Sequence, residues 1–128
     1  MVAIGDAPVA LDLLIYVGDR FRHTLVFSDA ETGDPEDVSG WSFAAQVRLN
    51  ATDIGTPLAT MTFDTSMANV GLVVMQLLPA QTTPMLLPSE SKSTKTATWD
   101  MQMTEIADAT NVRTPFAGSV TITLDRTR

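Results

Sequence analysis

Apolar and polar side chains alternate in short runs along this chain, and residues typical of turns separate the runs. The clearest run is 41–49, WSFAAQVRL, where every second residue from Trp41 to Leu49 is apolar and the intervening residues are Ser, Ala, Gln and Arg. A period of two places successive side chains on opposite faces of a strand. This run therefore predicts a half-buried strand.

The same signals predict further strands before and after that run. They cover 11–17, 21–27, 58–63, 71–78, 97–103 and 116–124. Both faces of 71–78 are mostly apolar, which predicts a strand covered on both sides. The segment 79–88 contains three prolines and is limited to a helical turn or two. The turn residues place loops at 28–37, 50–57 and 89–94, and a turn at 108–111.

About seven short strands without a sustained 3.6-residue period predict an all-β fold, an antiparallel sandwich or barrel. The 128 residues correspond to one domain, large enough to bury roughly two thirds of the surface of the unfolded chain. We place this single domain at 11–128 and treat 1–10 as an N-terminal arm that is too short to fold alone. The arm is interpreted either as a frayed end or as a segment that becomes ordered on a neighbouring subunit.

Composition excludes several classes of function. The chain has no cysteine, which rules out disulfides and thiolate metal sites. Only 18% of its residues are charged, the net charge is -7, and the eight basic residues are scattered, so direct nucleic-acid binding is not expected. No apolar run is long enough to span a bilayer. The first residues contain no basic cluster typical of a signal peptide, so synthesis in a cytoplasm is expected.

No motif of a catalytic or cofactor site is present. His23 is the only histidine, and it falls in strand register with Phe21 and Leu25, which favours a residue at the edge of the core over a general base or a zinc ligand. The sequence has no G-x-S-x-G and no glycine-rich phosphate loop. We therefore expect no catalytic residues, no cofactor, no metal site and no enzyme activity.

Two sets of side chains are candidate ligand sites. The acidic loop holds Asp29, Glu31, Asp34, Glu36 and Asp37. Its spacing differs from that of an EF-hand loop, and Pro35 interrupts it, so a solvated hairpin-like loop is favoured over a calcium site.

The second set consists of carboxylates and aromatic rings that could act on sugars. Asp100 and Glu105 are five positions apart in the sequence. Because this offset is odd, in one straight strand they would lie on opposite faces and could not form a glycosidase pair. Trp41 and Trp99 could stack on sugar rings. Because each lies on the apolar face of its strand, both are predicted to be core residues.

Five stretches, in this order, resemble a family of bacteriophage virion proteins. They are 17–21 (VGDRF), 37–48 (DVSGWSFAAQVR), 79–87, 97–103 (ATWDMQM) and 112–122 (VRTPFAGSVTI). In the family, a Gly-Asp precedes the first of these strands, and the sequence Asp-apolar-Ser/Thr-Gly-aromatic leads into the next. A short turn follows the central strand. The two last stretches correspond to a strand with Tyr/Trp-Asp-apolar and to an Arg-Thr that precedes a final, glycine-containing strand. The resemblance covers roughly residues 11–125.

Members of this family are the N-terminal domains of upper baseplate proteins and small tail-associated proteins of siphophages. The resemblance implies an immunoglobulin-like antiparallel β-sandwich and a non-enzymatic adaptor in the tail tip or baseplate. It implies other virion proteins as partners, homo-oligomers in the particle, and no contact with nucleic acid or membrane. A capsid decoration protein and, from another class, a carbohydrate-binding module remain as alternatives, with Tyr16 as a third aromatic candidate in the latter.

Overall fold

The computed structural model of the chain describes residues 9–29, 31–49, 57–86 and 94–124. In these ranges it is built of nine strands and one short helix. They are β1 (Val9–Ala10), β2 (Leu13–Val17), β3 (Phe21–Val26), β4 (Trp41–Arg48), β5 (Ala59–Thr60), β6 (Thr62–Asp64), β7 (Leu72–Leu77), α1 (Pro79–Thr82), β8 (Thr94–Glu105) and β9 (Val112–Leu124). No helix among the described residues is long and apolar enough to cross a membrane.

The strands form two facing sheets. The larger sheet has the order β1-β9-β8-β4-β5, and β2 also pairs with β9; the smaller sheet has the order β3-β7-β6. From β3 onward, this order corresponds to strands B to G of an immunoglobulin-like sandwich, with B, E and D in one sheet and G, F, C and C′ in the other. The predicted all-β sandwich is confirmed.

The first two strands depart from the antiparallel arrangement that the sequence predicts. Both β1 and β2 run parallel to β9, with Val9 opposite Phe116 and Leu13 opposite Val120. Antiparallel neighbours are usually joined by a tight turn, whereas these strands lie at opposite ends of the chain, so no hairpin determines their direction. Val9 and Ala10 thus belong to the sheet, whereas the sequence analysis places them in the N-terminal arm. The rest of the arm, residues 1–8, lies outside the described part of the chain.

The predicted strand 58–63 is divided between the two sheets. Ala59 and Thr60 pair with β4, whereas β6 pairs with β7. The chain changes sheet at Met61, whose amide donates to the carbonyl of Ala45 (2.9 Å) and whose side chain is buried. The alternation of side chains continues through this crossing, so the sequence pattern shows one strand where the fold has two.

The core lies between the sheets. Trp99, Met101, Phe116, Val120 and Ile122 are all at most 4% exposed. The alternation of apolar residues in 97–103 and 116–124 predicts these five as core residues, and the structure confirms it. A row of phenylalanines connects the two sheets. It runs from Phe63 to Phe43, Phe27 and Phe116, with ring-centroid separations of 5.8, 6.2 and 5.9 Å. Aromatic pairs at such distances are stabilised beyond the area they bury.

The segment after β7 closes one end of the core. It contains α1 and a 3-10 turn at Thr83–Met85, as the proline-limited pattern predicts. The hydroxyl of Thr82, a residue with no exposed surface, accepts a hydrogen bond from the amide of Gly18 (3.0 Å) and donates to the carbonyl of Asp19 (2.8 Å). This buried hydroxyl holds the turn between β2 and β3 against the helix.

Replacing Thr82 with valine should therefore destabilise the domain. The shape of the side chain is kept, but the amide of Gly18 loses its hydroxyl acceptor, at a cost of about 1–3 kcal/mol. Urea unfolding of Thr82→Val measures this loss. Thr83→Val is the matched control, because the Thr83 hydroxyl donates to Pro79 (2.8 Å) from an exposed position, where a change within about 0.5 kcal/mol is expected. Equal losses in both variants would contradict the role of Thr82.

Candidate interaction surface

Among the residues that the structure describes, the chemistry-bearing side chains do not converge. His23 is half-buried on β3, opposite Met75 of β7, on the side of the strand that faces the core. Within the described ranges no group of three histidine, aspartate or glutamate side chains is placed to hold a metal ion. The expectations of no metal and no catalysis remain predictions.

The acidic loop forms a small hairpin, as its turn residues predict. Ser28 forms an antiparallel bridge with Pro35, and Gly33 adopts a positive φ of 76° at the turn. The Asp29 carboxylate accepts from the amides of Glu31 (2.8 Å) and Thr32 (3.1 Å). The hydrogen bond from Glu31 and then that from Thr32 lower the pKa of Asp29 below its usual value. This carboxylate therefore shapes the loop.

Asp37 plays the same part at the other end of that loop. Its carboxylate accepts from the hydroxyl (2.6 Å) and the amide (2.9 Å) of Ser39, and these bonds lower the pKa of Asp37. A lowered pKa in the folded state means that the associated stability is present above the unfolded value. It is lost as the pH falls through the folded value. The turn before β4 is therefore expected to keep its capping bonds until the pH falls below 3.8, the ordinary pKa of an aspartate.

The two remaining candidate carboxylates have different neighbours. Asp100 is exposed on the outer face of β8, whereas Glu105, at the end of that strand, accepts from the Asn111 side chain (3.4 Å). The two carboxylates therefore lie in different environments, as their odd offset in the sequence predicts.

The two tryptophans have different environments. Trp99 is 3% exposed, and its indole nitrogen donates to the carbonyl of Leu11 (2.7 Å), so its prediction as a core residue is confirmed. Trp41, at the start of β4, is only half-buried and packs against the margin of the core. Trp99 is therefore inaccessible to a sugar ring, and Tyr16, 44% exposed, is the aromatic side chain with the most open face.

The outer face of the larger sheet is an open surface on which small uncharged side chains predominate. We call it the threonine face. It consists of Leu14, Tyr16, Ala44, Gln46, Arg48, Thr94, Thr96, Thr98, Asp100, Gln102, Ala117, Ser119, Thr121 and Thr123. These side chains share one face because each occupies an alternate position of its strand, opposite the buried set. Only two of the fourteen carry a charge.

The register explains how the threonine face is assembled. Leu14 lies beside Thr121, which pairs with Thr96, and Tyr16 lies beside Thr123, which pairs with Thr94. Each of these two rows of side chains therefore runs across three neighbouring strands, β2, β9 and β8.

The two charges lie near the centre of the sheet. Arg48 is opposite Thr98, and Asp100 is opposite Gln46, on the paired strands β4 and β8. The two residues line a shallow depression together with Gln46, Gln102 and Ala44. The guanidinium of Arg48 also donates to the amide oxygen of Gln46. This depression is polar, whereas the β2 side of the same face is apolar.

Leu14 and Tyr16 make that side apolar. They are 50% and 44% exposed, although their strand is anchored in the sheet along its whole length. All five residues of β2 are apolar, so the sequence showed an apolar run without a polar face and did not reveal which side chains would be exposed. Nothing in the sequence marks them, since the run 71–78 also has two apolar faces and forms β7, the central strand of the smaller sheet.

This arrangement can bind another surface. A flat sheet face with few charges is suited to packing against a second protein, because little charge has to be desolvated. β-Branched threonine also has few rotamers to lose on burial. No model of a known protein family matches the sequence, and no curated protein gives a significant match to it.

Proposed function

We propose that this chain is a non-enzymatic structural protein of a bacteriophage virion, an adaptor in the tail tip or baseplate that holds neighbouring subunits together. The observation that carries the proposal is the threonine face, a wide sheet surface with two charges among fourteen side chains and two exposed apolar ones at one side. Its partners are other virion proteins, including further copies of this chain, and it acts in the assembled particle after synthesis in the host cytoplasm.

The physical basis of the proposal is the low cost of covering this face. Association of proteins loses translational freedom and side-chain entropy, so a surface binds well when its side chains are already ordered. Threonines held in a sheet are ordered by their strands, and Leu14 and Tyr16 supply apolar area. Tyrosine is enriched at protein interfaces because its ring is large and has few rotamers.

The stretches that resemble the virion family also support the proposal. The Gly-Asp at 18–19 forms the turn into β3, and the segment 37–40 leads into β4. The segment 79–85 is the helical closure of the core, and the last two stretches are the paired strands β8 and β9. Each stretch therefore lies at a position that determines the sandwich.

A capsid decoration protein would use the same face. Only the position of the chain in the particle, on the head or on the tail, distinguishes this alternative from a tail adaptor. A carbohydrate-binding module is supported less, since Trp99 is buried and Tyr16 is the aromatic ring with the most open face. Sugar-binding surfaces stack on such rings. Titration with oligosaccharides while the fluorescence of Tyr16 is followed addresses this second class.

The proposed function is tested by detecting the chain in purified virus particles. Purified particles from the culture that carries the gene should contain it, and immunogold labelling should place it at the tail tip. Leu14→Lys with Tyr16→Lys puts two charges on the threonine face, so it should reduce incorporation roughly tenfold or more, given the cost of burying unpaired charges. Quantitative mass spectrometry of the particles measures it.

A matched control uses Ile106, which is 68% exposed in the loop between β8 and β9, outside the threonine face. Ile106→Lys replaces an apolar side chain that is more exposed than either Leu14 or Tyr16 and adds one charge, yet should leave incorporation unchanged. Both variants should keep the melting temperature of the parent. Particles that lack the chain, or full incorporation of the double variant, would refute the proposal, and labelling on the head would favour decoration.

A further inference from the structure

The outer edge of β3 has no strand beside it among the described residues. β3 pairs with β7 from Phe21 to Val26, and the amide of Phe27 donates to the carbonyl of Gly71 (2.8 Å). Because backbone groups alternate in direction along a strand, the odd-numbered residues face β7. The N–H and C=O groups of Arg22, Thr24 and Val26 therefore point away from the sheet. Such a row is a template for pairing with another chain.

An apolar cleft lies at one end of this edge. It has a volume of about 300 Å³ and is lined by Val26, Phe27, Pro35, Val70 and Leu72, with Ser28 and Gly33 at the loop side. Val26 belongs to both features, since its backbone lies on the open edge and its side chain faces the cleft. A segment paired with β3 would thus bring an alternate side chain to the cleft.

Charge is distributed unevenly along the edge. At the cleft end, the acidic loop carries the exposed side chains of Asp29, Glu31 and Asp34. At the far end stand Arg20, whose guanidinium donates to Gln76 (2.9 Å), and Arg22 on the outer face. Carboxylates therefore predominate at the cleft end of β3, and two arginines lie at the other end, where Arg22 is also attracted to the Asp64 carboxylate. An occupant with the opposite order of charges is favoured in one direction.

We propose that the edge of β3 and the adjoining cleft bind an extended segment of a partner protein, with an apolar side chain in the cleft and basic side chains beside the acidic loop. The segment adds a strand to the smaller sheet. Main-chain hydrogen bonds to Arg22, Thr24 and Val26 supply affinity, and the cleft and the carboxylates supply specificity. This surface belongs to the sheet opposite the threonine face, so its failure would leave the adaptor proposal intact.

An extended segment fits this surface better than a helix. A helix satisfies its own backbone groups and would leave the open donors and acceptors of β3 to water. The cleft, of about 300 Å³, also has room for a few apolar side chains but not for the apolar stripe of a helix. The backbone edge and the cleft are therefore satisfied together by one strand.

The experiment uses the full chain and a fluorescent synthetic peptide with lysines at one end followed by alternating valine and threonine. Fluorescence anisotropy should show saturable binding that weakens severalfold when salt is raised from low to physiological ionic strength and above, because the charged contacts are exposed. The matched control peptide has glutamates in place of the lysines and should bind roughly tenfold more weakly or not at all.

Variants of the chain test the edge and the loop separately. Thr24→Pro removes an outward N–H without removing a bond to β7, since proline is tolerated where the N–H of an edge strand faces outward. It should reduce affinity roughly tenfold, whereas Thr24→Val, which keeps the N–H, should bind within about twofold of the parent. Glu31→Gln with Asp34→Asn should abolish the preference for the lysine peptide. Circular dichroism confirms that each variant is folded.

Several results would overturn the proposal. One is equal binding of the two peptides. Another is undiminished binding by folded Thr24→Pro. A third is an affinity that rises manyfold when residues 2–8 are deleted, because the chain's own N-terminal segment would then be the competitor for this edge.

Discussion

Replacing Trp99 with alanine should lower the free energy of unfolding by about 3–5 kcal/mol. The side chain is 3% exposed between the sheets, so its removal leaves a cavity that the neighbouring strands cannot fill. Its indole nitrogen also donates to the carbonyl of Leu11 (2.7 Å), which holds the link between β1 and β2 against the sheet. A domain of this size has a total stability of about 5–15 kcal/mol, so the loss is a large share.

Trp99→Phe separates the two contributions. It keeps most of the apolar volume but deletes the donor to Leu11, so it should cost about 1–3 kcal/mol, less than the alanine variant. Urea unfolding followed by far-ultraviolet circular dichroism measures both values, and the fluorescence of the parent should be that of a buried indole. An alanine variant with an unchanged melting temperature would show that Trp99 does not lie in the core.

Much of this fold could be predicted from alternation alone. The faces of β4 and β8 are correct within these strands, because each has one polar face and one apolar face, and only one register then buries the apolar set. Leu49, predicted to continue the apolar face of β4, lies beyond the end of the strand and is 49% exposed. Phe116, Val120 and Ile122 were placed in the core for the same reason. The helical closure at 79–85 was predicted because proline limits the length of a helix.

The remaining features depend on contacts between distant parts of the chain. The division of 58–63 at Met61 leaves the alternation of side chains unchanged, so no local pattern marks it. The parallel pairing of β2 with β9 joins residues about a hundred positions apart and needs no turn sequence. Local propensity contains no information on such pairings.

The candidate surface could be predicted only in part. The alternation in 97–103 and 116–124 puts Thr98, Thr121 and Thr123 opposite the apolar set, so these could be placed on the outer face, whereas Thr94 fell in a predicted loop. Leu14 and Tyr16 could not be assigned, because every residue of β2 is apolar and the strand is anchored on one side only. The open edge of β3 also depends on the sheet order, since a strand at the edge and a strand in the centre of a sheet can have the same sequence pattern.

The second large effect is expected at Gly118, beneath the link between β1 and β2. A Cβ atom at this position would lie 2.2 Å from the carbonyl oxygen of Leu11 and 2.8 Å from its carbonyl carbon. Both are backbone atoms, so the clash is relieved only by moving the chain. Nearby, the Asp12 carboxylate accepts from the amide of Ser119 (3.1 Å). Gly118→Ala should therefore displace the first strand and cost roughly 1–3 kcal/mol from overpacking, with about 1 kcal/mol more for disturbed hydrogen bonds.

Gly40→Ala is the matched control, because a Cβ atom there has no heavy atom within 4 Å and the residue has no positive φ. It should leave the stability within about 0.5 kcal/mol of the parent. Gly118 is paired with Trp99 across β8 and β9, and both act on Leu11, so the double variant Trp99→Ala, Gly118→Ala should lose less than the sum of the two single losses. Additive losses in urea unfolding, or a Gly118→Ala variant as stable as Gly40→Ala, would falsify the view that the first strand is held over Gly118 by Trp99.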